Sequence, residues 1–151
     1  MKIKKKQEIL KLSKLTGTHK KIGQGIILKL FDSNKSLKLN ENPNLGIIHD
    51  IDLLELINDL WKAKAEAISL NNQRIIFSTE IECVGPTILI NKTRISSPFV
   101  IKAVGDPKKL IKFVKNGYVQ TLELYGIKYF LEQYEYMEIP ANTAITLTGD
   151  F

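Results

Sequence analysis

The chain contains the same six-residue pattern twice, and that echo limits what it can fold into. Leu70-Asn71-Asn72-Gln73-Arg74-Ile75 is answered by Ile90-Asn91-Lys92-Thr93-Arg94-Ile95. In each copy an apolar residue precedes Asn, one variable residue and a polar residue follow, and then come Arg and Ile. Asn accepts the left-handed backbone that a two-residue hairpin demands, so both copies predict a tight turn with a strand returning from it. Arg74 and Arg94 are also the only arginines in the chain. Each is expected just past the tip of its turn.

The elements around the echo follow from periodicity. Gly25–Asp32 is a nearly unbroken apolar run and reads as a strand buried on both faces. Gly23-Gln24-Gly25 opens that strand rather than a helix, which argues against a phosphate-binding glycine loop. Over residues 50–65, Leu53, Ile57, Leu60 and Trp61, with Leu54 at the margin, form a helical stripe. Asp50 or Asp52 is expected to cap this helix. Strands follow at 67–70, 79–84 and 87–90, with Gly85-Pro86 breaking between the last two. Pro98 introduces the strand 99–104. Asp106-Pro107 then supplies the cap and first position of a second helix that ends at Asn116-Gly117. A brief helical turn at 119–125 and a long strand at 128–139 complete the order.

Without the two hairpins, which read as an insert, the order is β-α-β-β-α-β. The expected fold is therefore α+β, with a ferredoxin-like sheet, an inserted β-hairpin region and an N-terminal helical arm. The strands leading into the two helices should be central. We divide the chain into a basic helical arm at 1–21, which reads as the end of a coiled coil, a single α+β domain at 22–140, and a C-terminal tail at 141–151. Ala144-Ile145-Thr146-Leu147 is a candidate edge strand within that tail.

The net charge of +6 suggests nucleic acid only until it is located. Residues 1–21 hold eight lysines against Glu8, and the remainder holds 14 basic and 15 acidic groups. The body is neutral, with no cluster of basic and aromatic residues, so nucleic acid is not an expected partner. No apolar run is long enough to cross a bilayer, and the chain as written is expected to be soluble. Cys83 is the only cysteine and reads as a half-buried structural thiol. His49-Asp50-Ile51-Asp52 has metal-ligand character, but capping accounts for both acids, and no metal or cofactor is expected.

No nucleophile–base pair or catalytic carboxylate pair stands out, so the chain is not expected to be an enzyme. The candidate ligand or partner surface is Asn71, Gln73, Arg74, Asn91 and Arg94, because arginine forks carboxylates and phosphates in a bidentate manner. The plainer reading pairs each Arg with a strand neighbour such as Glu80 or Glu82.

Several of these stretches together resemble a known family. They are Ala65–Ile75, Glu82–Asn91, Pro98–Pro107, Gly23–Ile26 with the strand to Asp32, and Ile48–Leu54. Taken in their order along the chain, over roughly residues 22–140, they make it similar to the uncharacterised bacterial YlxW/YlxX-like group, often labelled "division initiation protein". Asn72 and Lys92 stand where that family often has Gly. The resemblance implies an upstream membrane helix and a coiled coil, with this domain outside the membrane. It also implies a scaffold role in division or wall synthesis, with other envelope or division proteins as partners. Homo-oligomerisation through the N-terminal helix is a further expectation. Any membrane contact would come through an upstream anchor absent from this chain. The alternative is a sensor domain for a small anionic molecule. The resemblance supplies no catalytic residues.

Overall fold

The apolar run that begins at Gly25 lies at the heart of the main sheet. The computed structural model describes residues 2–8, 17–33 and 46–142. Within these, α1 (residues 2–8) is exposed throughout. There follow β1 (Lys21–Phe31), α2 (Asp50–Lys62), β2 (Ala67–Leu70), β3 (Gln73–Ile75), β4 (Ile81–Val84), β5 (Thr87–Ile90), β6 (Thr93–Ile95), β7 (Phe99–Val104), α3 (Pro107–Lys115), α4 (Val119–Leu124) and β8 (Lys128–Ile139). Residues 9–16 of the expected arm, the polar loop over 34–45 and the candidate strand at 144–147 lie outside the described residues, while residues 17–20 of that arm are a non-helical lead into β1, which takes Lys21.

Five strands form one sheet in the order β3-β2-β7-β1-β8, with every neighbouring pair antiparallel. β4-β5-β6 form a separate antiparallel sheet. The protein is therefore α+β, and the strands leading into α2 and α3 are internal. The expected insert of two hairpins is divided. The first hairpin stays in the main sheet, with β3 as its edge, and only the second joins β4 in the small sheet.

One face of the main sheet carries Ile26, Leu28, Leu30, Ile68, Leu70, Phe99 and Ile101 into the core. From α2, the core takes Leu53, Leu56, Ile57 and Leu60. That is the i, i+3, i+4, i+7 face of a helix. Leu54 and Trp61, expected in the stripe, are instead exposed on its flank. α3 adds Leu110 and Val114.

The capping of α2 also differs from the expectation. His49 is the N-cap, and its backbone N–H donates to Asp52 Oδ2 at 2.8 Å. Asp52 is buried and accepts a second hydrogen bond, from Tyr118 Oη, at 2.6 Å. Asp59, two turns further on, accepts from the Tyr118 backbone N–H at 2.8 Å. One residue between α3 and α4 is thus tied to α2 twice. Burial, and then the hydrogen bond to Asp52, push the Tyr118 hydroxyl well above its ordinary value. Asp106 caps α3 as expected, accepting from Lys108 N at 3.1 Å, with Pro107 at the first helical position.

The helix-free face is covered in another way. Tyr134 pairs with Gly25 and Met137 with Gly23, so β8 advances three residues while β1 advances two. The extra residue is a β-bulge, which bends the ribbon. Beyond the bulge, Met137 and Ile139 pack on Ala67 and Val104, closing one end of this face. Gly25 sits at the bend, and a Cβ there would run into the Ala103 carbonyl oxygen.

Backbone conformation makes two substitutions act in opposite directions. Gly25→Ala should cost about 2–3 kcal/mol, because the obstruction is backbone. Lys92 holds φ +63°, the left-handed region that disfavours a side chain. Lys92→Gly should therefore stabilise by about 0.5–1 kcal/mol. Urea unfolding midpoints, at constant slope, check both. Tyr118→Phe removes a hydrogen bond to a carboxylate and should cost about 1–3 kcal/mol. The folded state holds the Tyr118 proton more tightly than the unfolded state does. That contribution is complete below the ordinary tyrosine value of about pH 10 and is lost as pH rises above it. The stability–pH curve of Tyr118→Phe should be the flatter one in the alkaline range.

Candidate functional site

Both copies of the echo form the same local structure. Asn71 and Asn72 have φ of 47° and 66°, and Asn91 and Lys92 have 48° and 63°. Positive φ at both central residues is the signature of a type I′ turn, whose twist suits a two-residue hairpin. Leu70 pairs with Gln73 and Ser69 with Arg74. In the second copy Ile90 pairs with Thr93 and Leu89 with Arg94.

The tertiary settings of the two copies are unlike. The Asn71 side chain closes onto the start of β7: Oδ1 accepts from Val100 N at 2.6 Å and Nδ2 donates to Pro98 O at 3.3 Å. Asn91 instead docks on the first hairpin, its Nδ2 donating to Arg74 O at 2.9 Å. Asn142 donates to the same carbonyl at 3.1 Å, and its backbone N–H donates to Gly17 O at 2.7 Å. Gln73 is half-buried opposite Leu70.

Arg74 is only 3% exposed. Its Nη1 donates to His19 O at 2.9 Å and Pro140 O at 3.2 Å. Gly17 completes the cradle with φ +64°, and a Cβ there would collide with Ile76 and crowd the Arg74 stem. Burial lowers the Arg74 pKa from its ordinary value. A guanidinium starts high enough to stay charged, and its weak hydration suits it to a carbonyl cage. Arg94, by contrast, is exposed on β6.

The five candidate residues therefore do not form one surface. Arg74 lies inside, as a main-chain tie, while Arg94 faces solvent. Neither forms the expected ion pair with Glu80 or Glu82. Among the described residues the ion pair observed is Lys21–Glu66, at 3.5 Å on the surface. Beside the second turn is a cleft of about 260 Å³ lined by Ser78, Thr79, Glu80, Glu82, Asn91 and Lys92.

Cys83 is exposed rather than half-buried, yet it is engaged. The Asp50 backbone N–H meets its Sγ at 3.4 Å, and Cys83 N donates to Asp50 Oδ2 at 3.2 Å. Desolvation, and then the Asp50 carboxylate, raise the thiol above its ordinary value. That leaves less thiolate at neutral pH than in a free cysteine. Asp50 thus pins α2 to β4. Among the described residues no three His, Cys, Asp or Glu side chains converge on a metal position. Nor does any helix among them have the length and apolarity to cross a membrane.

Sequence reasoning missed Gly17 and Asn142. Gly17 fell inside the expected arm, and Asn142 in the expected tail. No local pattern marks either one, because their partners are main-chain groups far away in sequence.

These features define an α+β domain in which the residues before β1 and after β8 are tied to a sheet edge through one buried arginine. Residues 8–148 match the family described as "Bacterial protein of unknown function (DUF881)", and the chain belongs to that family. It is 30% identical over 89 residues to UPF0749 protein YlxW of Bacillus subtilis (strain 168), covering 59% of this chain and 38% of that protein. It is 35% identical over 92 residues to UPF0749 protein Rv1823 of Mycobacterium tuberculosis (strain ATCC 25618 / H37Rv), covering 57% of this chain and 30% of that protein. The matches thus span about a third of those relatives' lengths. In fold, it superposes on the crystal structure of an uncharacterized conserved protein from Mycobacterium tuberculosis with a TM-score of 0.76. The identity is 22%, covering 89% of this chain and 91% of that one.

The echo gives a paired test. Arg74→Ala strands two carbonyls under cover and should cost about 2–4 kcal/mol. Arg94→Ala, at the matching position of the second copy, should change stability by no more than about 0.5 kcal/mol. Thermal and urea unfolding of the two variants against the parent chain measure the difference.

Proposed function

We propose that this is a non-enzymatic interaction or scaffold domain of a bacterial envelope protein linked to cell division or wall synthesis. The observation that carries this reading is how the side chains best suited to chemistry are used. Arg74, Asn71, Asn91, Asp50, Asp52 and Asp59 are all spent on hydrogen bonds that hold elements together. The surface, in turn, carries large apolar groups. Ile51, Leu54 and Trp61 are exposed along the outer flank of α2 at helical spacing. Exposed apolar groups gathered on one helix face are typical of protein-binding surfaces, and Trp is enriched at their energetic centres.

The link to division and the envelope comes from the label of the family that the chain resembles, as does anchoring by an upstream membrane segment. The strand order and antiparallel pairing support reading the main sheet as a ferredoxin-like split unit extended by β3. The reading as a sensor of small anions has less support. Arg74 is turned inward, and the cleft beside Asn91 is lined by two glutamates.

A photo-crosslinking amino acid placed at Leu54 or Trp61 of the full-length protein in growing cells tests the proposal, with Lys109 on α3 as control. The expected result is recovery of a division or wall-synthesis protein from the α2 positions, several-fold above the control. Recovery of no such protein from any position would count against it.

A further inference from the structure

The two edges of the main sheet are treated differently. At β3, the Arg74 carbonyl is occupied by the amides of Asn91 and Asn142. At the opposite edge, β8 pairs with β1 alone among the described residues. An open edge is a template for another strand unless something blunts it. In its second half β8 is blunted by the bulge between Tyr134 and Met137 and by Glu135 and Glu138. In its first half, Lys128–Tyr134, the register with β1 is unbroken.

That first half presents an unusual surface for a free edge. Phe130 is 55% exposed on the helix-free face, edge-on to Phe31 with ring centroids 5.7 Å apart. On the other face, Tyr129 and Leu131 are half-buried and floor a groove of about 620 Å³ that runs under Lys115 and Glu123.

We infer that β8 pairs with β8 of a second copy, antiparallel, about a two-fold axis through Phe130. This joins the two main sheets into one. The inference rests on the edge itself and is independent of the envelope reading. The register follows from charge. With Phe130 on the axis, each Lys128 faces Glu132 of the other copy, and these two attractive pairs flank a Phe130–Phe130 contact. Tyr129 then faces Leu131 twice on the opposite side, where each copy offers its groove. An axis through Leu131 sets Phe130 against Glu132, and an axis through Glu132 sets two carboxylates face to face. Glu132 is held in place by Tyr134 Oη, which donates to its Oε2 at 2.6 Å and leaves the other oxygen for a partner.

Sedimentation of the full chain over a concentration series tests this, using Lys128→Glu, Glu132→Lys and the double exchange. The parent chain should dimerise. Each single variant should weaken the dimer about tenfold, because two-fold symmetry turns two attractive pairs into two repulsive ones at once. The double exchange restores opposite charges at both pairs and should return to within about threefold of the parent. A parent chain that stays monomeric at high concentration overturns the inference. So does a dimer indifferent to both single variants, or one that the double exchange fails to restore.

Discussion

Arg74 joins parts of the molecule that nothing in the sequence brings together. Its guanidinium binds the carbonyls of His19, before β1, and Pro140, after β8. Its own carbonyl takes the amides of Asn91, at the tip of the second hairpin, and Asn142. One residue on an edge strand thus ties the entry and exit of the domain to each other, and ties both to the small sheet. A charged group inside a protein is tolerable only when its donors are met. The main chain around it is therefore held as tightly as the arginine itself. Gly17 is part of the same constraint, since any side chain there would occupy the space of Ile76 and the arginine stem.

The rest of the architecture follows from how the strand ends reach that point. β1 and β8 run side by side as the longest ladder and bend together at the β8 bulge. The bend lets Met137 and Ile139 pack over Ala67 and Val104, on the face the helices leave uncovered. The ribbon then delivers residues 17–19 and 140–142 to the far edge, where Arg74 receives them. Gly25 allows the bend because β7 passes too close for a side chain. The two layers are therefore closed by different physics. Aliphatic helices cover one face, and a curled ribbon fastened by main-chain hydrogen bonds covers part of the other.

The sequence disclosed most where local chemistry decides. Two Asn turns, the Asp106-Pro107 cap and the long final strand are all legible from residues close together in the chain. It was misleading where distant partners decide. Trp61 has the spacing of a core residue, but the sheet meets α2 along Leu53, Leu56, Ile57 and Leu60 and leaves Trp61 at the flank. Asp52 does help cap α2, but from the third helical position against His49 rather than as the N-cap itself, and its other oxygen goes to Tyr118, 66 residues away. The candidate site suffered in the same way. Its five residues share a motif, and a motif fixes the turn without fixing what packs against it.

The fate of the echo accounts for one of the two arginines in a chain otherwise rich in lysine. Both hairpins are built alike, yet one Arg is enclosed and the other is solvated. Lysine would not serve at the enclosed position. Its ammonium is a compact and strongly hydrated charge, whereas a planar guanidinium sheds water more readily, and at Arg74 its Nη1 meets both the His19 and the Pro140 carbonyls. At the solvated position no such demand exists, and nothing in the structure requires Arg94 to be arginine rather than lysine. The chemistry that first marks these residues as a site is, at Arg74, the chemistry of holding a fold. Recognition is therefore better sought on surfaces the fold does not consume, the outer flank of α2 and the open edge of β8.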